Sequence, residues 1–166
     1  MTGSQVPSLE AISSLIDHNG KAVDEGTFLG LYTLIFFGFT HCRVVCPRTL
    51  EKITRVLDRL GPAAAKIQPI YISVDPERDT PEVLRAFLSD RYPRFTGVTG
   101  SPKQIDHAKQ TFRIFAQRQD EGSSAYSVQH TAITYAFDPA GRLVDHWLES
   151  ISDEALGTRL TALLVD

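Results

Sequence analysis

At 166 residues, 42% hydrophobic and 22% charged, the chain is long enough to bury a core and too apolar for wholesale disorder. A net charge of −3, with no cluster of lysines and arginines, argues against a nucleic-acid binder or a membrane-surface patch. The longest apolar run, "LIFFGF", is far too short to cross a bilayer, and "MTGSQVPSLE" lacks the pattern of a signal peptide.

No repeat or linker divides the chain, which reads as a single domain over 1–166 with residues 1–12 as a flexible tail. Residues 13–24, "SSLIDHNGKAVD", predict a hairpin around Asn19-Gly20, a pair suited to a type I′ turn. "YTLIFFGF" (32–39) is a continuous apolar run, as expected of a strand buried on both faces. Pro47 suits the first helical position, with Leu50, Ile53, Leu57 and Leu60 on one face of the helix it opens and Gly61-Pro62 stopping it. "IQPIYISV" (67–74) is a second buried strand.

"DPERDTP" then turns the chain into a helix capped by Thr80, with Val83, Leu84, Phe87 and Leu88 inward. A short strand near 95–99 precedes a capping box, Ser101 to Gln104, and a helix with Ile105, Ala108, Phe112 and Phe115 inward. Residues 118–130, "RQDEGSSAYSVQH", read as a mobile polar loop. "TAITYAFDPAGRLVDHWL" is a hairpin, and a last helix begins near Ser152, its stripe formed by Leu156, Leu160, Leu163 and Leu164. Strands joined through helices imply parallel pairing, and the late hairpin adds an antiparallel edge. The fold class is α/β, a thioredoxin-like central mixed sheet flanked by helices, with an N-terminal hairpin extension.

Both cysteines of the chain lie in "FFGFTHCRVVCPRTL", with three residues between Cys42 and Cys46. Pro47 biases Cys46 away from helical geometry, which predicts Cys46 as the N-cap. A thiolate there would meet unpaired backbone N–H groups and the positive end of the helix dipole, and Arg43 adds a further favourable charge. Thiolates are the nucleophiles of exchange chemistry and also soft ligands for Cu(I). A purely structural disulfide is disfavoured, because so short a loop restrains little unfolded-chain entropy. Two inert buried cysteines remain the plainer reading of each thiol alone.

"LIDHNGKAV", "FFGFTHC…CP", "YISVDPERDTPEVL", "GVTGSPKQI" and "QHTAITYAFDPAGRLV" together resemble the Sco/SenC family of copper-handling thioredoxin-fold proteins. The resemblance covers nearly the whole chain, and the three-residue Cys spacing separates it from ordinary thioredoxin dithiols. It implies a metallochaperone for the copper centre of cytochrome c oxidase, or a reductant of that centre's cysteines. By position, the metal ligands it implies are Cys42, Cys46 and His130, a set suited to Cu(I) and, with a further ligand, to Cu(II). Disulfide formation would abolish such a site, so Cys42 and Cys46 would be redox-active as well as metal-binding.

The implied partner is the copper-bearing subunit of cytochrome c oxidase or another copper carrier, with no nucleic acid and no membrane contact except through an anchor. The implied location is the periplasm or cell envelope, or the mitochondrial intermembrane space. Arg43-Val44 stands where family members often have Pro-Asp, and Gln129 where Asp is common before the histidine. The alternative is a metal-independent thiol–disulfide oxidoreductase or peroxide-reducing enzyme, in which Cys42 attacks and Cys46 resolves. A copper or redox sensor is a third reading. His41 reads as structural or as tuning the thiolate, and His18, His107 and His146 as structural or solvated. Asp75, Glu77 and Asp79 read as turn and capping residues rather than a hard-cation site.

Overall fold

A computed structural model describes residues 7–40, 45–114, 116–120, 126–130 and 133–165, with the backbone alone at 25, 45, 46, 116–120 and 126–130. Nine strands and four α-helices follow one another among these residues. They are β1 (Leu15–Asp17), β2 (Ala22–Val23), β3 (Tyr32–Gly38), α1 (Val45–Leu60), β4 (Ile67–Ser73), α2 (Pro81–Arg91) and β5 (Thr96–Thr99). After these come α3 (Pro102–Thr111), β6 (Ala116–Asp120), β7 (Tyr126–His130), β8 (Ile133–Phe137), β9 (Leu143–Leu148) and α4 (Asp153–Val165).

Seven strands form one mixed sheet in the order β2-β1-β5-β4-β3-β8-β9. β3 pairs in parallel with β4 and antiparallel with β8, so it lies inside the sheet with neighbours on both sides. Its apolar run serves two cores. Leu34 and Phe36 join Leu50, Ile53 and Leu57 of α1, Leu84 and Leu88 of α2, and Leu156 and Leu160 of α4. Ile35 and Phe37 face the other way, onto Ile105 and Ala108 of α3, Phe112, and the N-terminal Leu9 and Ile12. A strand covered on both faces has no use for polar alternation, which is why the sequence shows none there. This is the expected thioredoxin-like architecture with its N-terminal hairpin.

Several local expectations are corrected. Leu9–Ile12 form a 3-10 turn with Leu9, Ala11 and Ile12 buried, so residues 7–12 are packed rather than a loose tail. The first hairpin is not closed by a type I′ turn: Gly20 has φ +82°, but Asn19 does not share the positive φ that type requires. Instead Asp17 Oδ1 accepts the backbone N–H of Asn19 (2.8 Å) and Lys21 (3.0 Å), and Gly20 N–H donates to Asp17 O. The result is a three-residue loop ending in a left-handed glycine. The chain repeats it between β8 and β9, where Asp138 Oδ1 accepts from Ala140 and Arg142 and Gly141 has φ +85°.

Val83 is exposed, and α2 buries Leu84 and Leu88. α3 stops at Thr111, with Phe112 as its buried C-cap; Phe115 lies outside the described residues. The polar stretch read as a loop holds a two-stranded antiparallel ribbon, β6 against β7, with Ala116 opposite His130.

Candidate functional site

Cys42 lies outside the described residues, as do His41, Arg43, Val44 and the side chains of Cys46 and His130. The frame that carries these positions is well defined on either side. β3 ends at Gly38, Thr40 is the last described residue before the motif, and α1 opens at Val45. Cys46 is therefore the second residue of α1 rather than its N-cap, and Pro47 the third. The shift is sterically mild, because proline lacks an N–H and the first-turn N–H groups have no intrahelical acceptor in any case. Cys46 stays within the turn where the helix dipole favours a thiolate.

His130 closes β7, three positions before β8 begins. β8 runs antiparallel to β3, with Thr134 opposite Phe36, so the start of β8 lies beside the end of β3. The end of β3 and the start of β8 thus lie at the same end of the sheet. Gly38 and Ile133, the last residue of β3 and the first of β8, lie on strands that are neighbours in space and remote in sequence. Gln129 sits in β7 opposite Gln117.

The turn after β4 reaches the same end. Asp75 and Asp79 are buried there, Asp79 completely. Asp79 Oδ2 accepts the Thr40 backbone N–H (3.0 Å) and the Ser73 hydroxyl (2.7 Å), while Oδ1 accepts the Thr40 hydroxyl (2.5 Å). Asp75 takes an ion pair from Arg78 Nε at 2.5 Å, and the Arg78 guanidinium lies over the Phe39 ring, 5.9 Å from its centroid. Thr80 caps α2 by accepting the Val83 N–H. The capping and turn reading of this stretch is incomplete: Asp79 reaches across the sheet end to Thr40, 39 residues away. No spacing rule in the sequence signals that contact; only the parallel β3–β4 pairing creates it.

The other histidines have ordinary surroundings. His18 Nδ1 accepts the Gly97 N–H at 2.9 Å and ties the first hairpin to β5. His107 is exposed on α3, and His146 is exposed on β9 with its ring 6.3 Å from that of Tyr135. Among the described residues no three His, Cys, Asp or Glu side chains are grouped to hold a metal, and no helix is long and apolar enough to cross a membrane.

Comparison with known proteins places these features. The family model SCO1/SenC matches residues 4–164. The chain is 38% identical over 146 residues to the mitochondrial SCO2 homologue of Homo sapiens, covering 86% of this chain and 54% of that protein. It is 38% identical over 140 residues to an SCO2-like protein of Rickettsia prowazekii, covering 83% and 68%. The chain thus spans about half the length of the human relative, and its relatives are mitochondrial and bacterial.

Among solved structures, Bradyrhizobium japonicum ScoI with copper bound is 39% identical, with a TM-score of 0.82 over 90% of this chain and 95% of that one. Arabidopsis thaliana ScoI with copper bound is 30% identical, with a TM-score of 0.87 over 92% and 96%. A match of this extent shows that the chain belongs to the SCO1/SenC family.

Proposed function

We propose that this protein binds copper as cargo through the thiolates of Cys42 and Cys46 and the imidazole of His130, and hands it on during assembly of the cytochrome c oxidase copper centre. The observation that supports this reading is the antiparallel β3–β8 pairing, which sets the end of the strand before the cysteine motif beside the start of the strand that follows His130. The copper-bound state of the 39% and 30% identical structures supports it. So does the donor chemistry: two soft thiolates and an imidazole suit Cu(I). Cys46 in the first turn of α1 favours its thiolate, the form needed both for ligation and for thiol exchange. The same cysteines form a redox-active pair, so that disulfide formation withdraws the ligands and gates copper uptake. The partner is the copper-bearing subunit of the oxidase or another copper carrier, met in the periplasm or in the mitochondrial intermembrane space.

Anaerobic Cu(I) titration of the reduced protein tests the reading. One tightly bound Cu(I) is expected, weakened strongly in Cys42→Ser and in His130→Ala. Unchanged affinity in His130→Ala removes the three-ligand set. Rapid metal-free turnover of a disulfide or peroxide, without Cu(I) binding, makes the protein an oxidoreductase instead.

A further inference from the structure

The buried carboxylate of Asp79 has no place in the ligand set, yet it holds the residue from which the cysteine segment departs. Thr40 is the first polar residue after β3, and its backbone N–H lies beyond the last β3–β4 ladder pair, Gly38 with Ser73. Asp79 supplies the acceptor that the sheet no longer offers, at 3.0 Å, and binds the Thr40 hydroxyl at 2.5 Å with its other oxygen. Two bonds from one carboxylate to the backbone and side chain of one residue fix that residue's orientation as well as its position. The anchor is itself held: Ser73 Oγ donates to Asp79 Oδ2 at 2.7 Å, and the Asp79 N–H donates to Asp75 O at 2.9 Å. The next residue, Thr80, is locked as the N-cap of α2.

A fully buried carboxylate is costly unless its oxygens are satisfied, and here three donors satisfy them. Turn formation alone asks for none of the contacts to Thr40. At the other end of the segment, α1 fixes residue 45. The described backbone on either side of the cysteine motif is therefore held, at Thr40 and at residue 45.

We propose that Asp79, acting through Thr40, is a positioning residue for the Cys42–Cys46 pair, on which both its Cu(I) affinity and its disulfide equilibrium depend. The inference rests on reading these two cysteines as a working pair. Pre-organisation of one thiol favours every product that needs both, because the cost of ordering them is met in the fold. Release of Thr40 then weakens Cu(I) binding and disulfide formation together. In the disulfide reaction the Cys42 and Cys46 thiols join as an S–S bond. Glutathione disulfide takes up the two electrons and two protons, and its own S–S bond breaks to give two glutathione thiols.

The test compares Thr40→Val, Thr40→Ser and Asp79→Ala with the wild type. Each is measured for Cu(I) affinity by competition with a chelator, for the equilibrium constant with glutathione, and for urea unfolding. Thr40→Val keeps the shape and the backbone bond but loses the hydroxyl bond to a charged acceptor. It is expected to lower both constants by about tenfold, with Asp79→Ala lowering them further and Thr40→Ser restoring wild-type values. Wild-type values of both constants in Thr40→Val, with only the unfolding midpoint reduced, overturn the proposal and leave a structural bond. If Asp79→Ala does not fold, the Thr40 pair still decides. A wild-type protein that binds no Cu(I) refutes the copper reading alone, and positioning then stands or falls on the glutathione equilibrium.

Discussion

Arg113 shows how much a single backbone position weighs in this fold. It follows α3 with φ +55°, a left-handed conformation that side chains other than glycine seldom adopt. The Arg113 N–H donates to Gln110 O and the Ile114 N–H to Lys109 O, the paired bonds of a Schellman cap. The cap turns the chain so that Phe112 is fully buried against Phe37, Tyr135 and Phe137. Arg113→Gly should keep the cap without the strain and stabilise the protein by about 0.5–1 kcal/mol, after the entropy of a glycine in the unfolded chain is deducted. A raised urea midpoint with an unchanged slope checks this. Burial holds the Tyr135 phenol above its ordinary range and the Arg113 charge pulls it back, so the same variant should also push Tyr135 further up in a spectroscopic titration. Residue-scale features of this kind were partly legible: Thr80 and Ser101 announce themselves as caps by their spacing. Arg113 did not, because nothing in its identity signals φ > 0.

At the scale of elements, α1 and α4 are joined by charge as well as by their leucines. Arg55 Nε lies 3.0 Å from Asp153 Oδ2 and Arg59 3.5 Å from the same oxygen, while the Lys52 ammonium donates to the carbonyls of Glu149 and Ile151 just before α4. The hydrogen bond from Arg55, aided by the charges of Arg55, Arg59 and Lys52, holds the Asp153 carboxyl below the usual range against the opposing effect of burial. A depressed folded-state value contributes stability that is fully present above the unfolded carboxylate range and is lost as pH falls through the folded value. Arg55→Ala should therefore cost under about 1 kcal/mol at neutral pH, since the pair is partly exposed, and the gap should close in acid as pH falls through the depressed folded-state value. Urea melts at both pH values measure it; a gap that persists in acid would assign the loss to packing of the arginine stem.

The elements also show where sequence patterns stop being informative. The buried strands β3 and β4 and the stripes of α1 and α4 were legible because burial on a fixed period leaves a pattern. β6 and β7, "AQRQD" and "YSVQH", carry no such pattern, and a ladder of backbone bonds needs none. They read as loop for that reason. The contact of Thr40 with Asp79 was invisible on other grounds. It depends on which strands become neighbours, and a spacing along the chain does not state that.

For the molecule as a whole, the candidate ligands sit on segments whose relative placement exists only in the folded state. Copper bound by the proposed ligands would therefore be coupled to folding. With free Cu(I) buffered at about a hundred times its Kd, binding should add about 2.7 kcal/mol and raise the Tm of the reduced protein by about 5–10 °C. Calorimetry at two buffered Cu(I) levels should show the rise growing with concentration in the wild type and absent in Cys42→Ser. An equal rise in Cys42→Ser would place the stabilising metal elsewhere.

The position of β8 beside β3 has a further consequence, for synthesis. β3 leaves the ribosome with its β8 flank open, and about a hundred residues must follow before that flank is filled. Throughout that interval Cys42 and Cys46 exist without His130. Under the proposed ligand set, the newborn chain would therefore meet oxidants as a bare dithiol before a three-donor site could form. On the proposed reading, the compartment in which the chain finally folds thus sets whether the pair starts out as a disulfide or as two thiols.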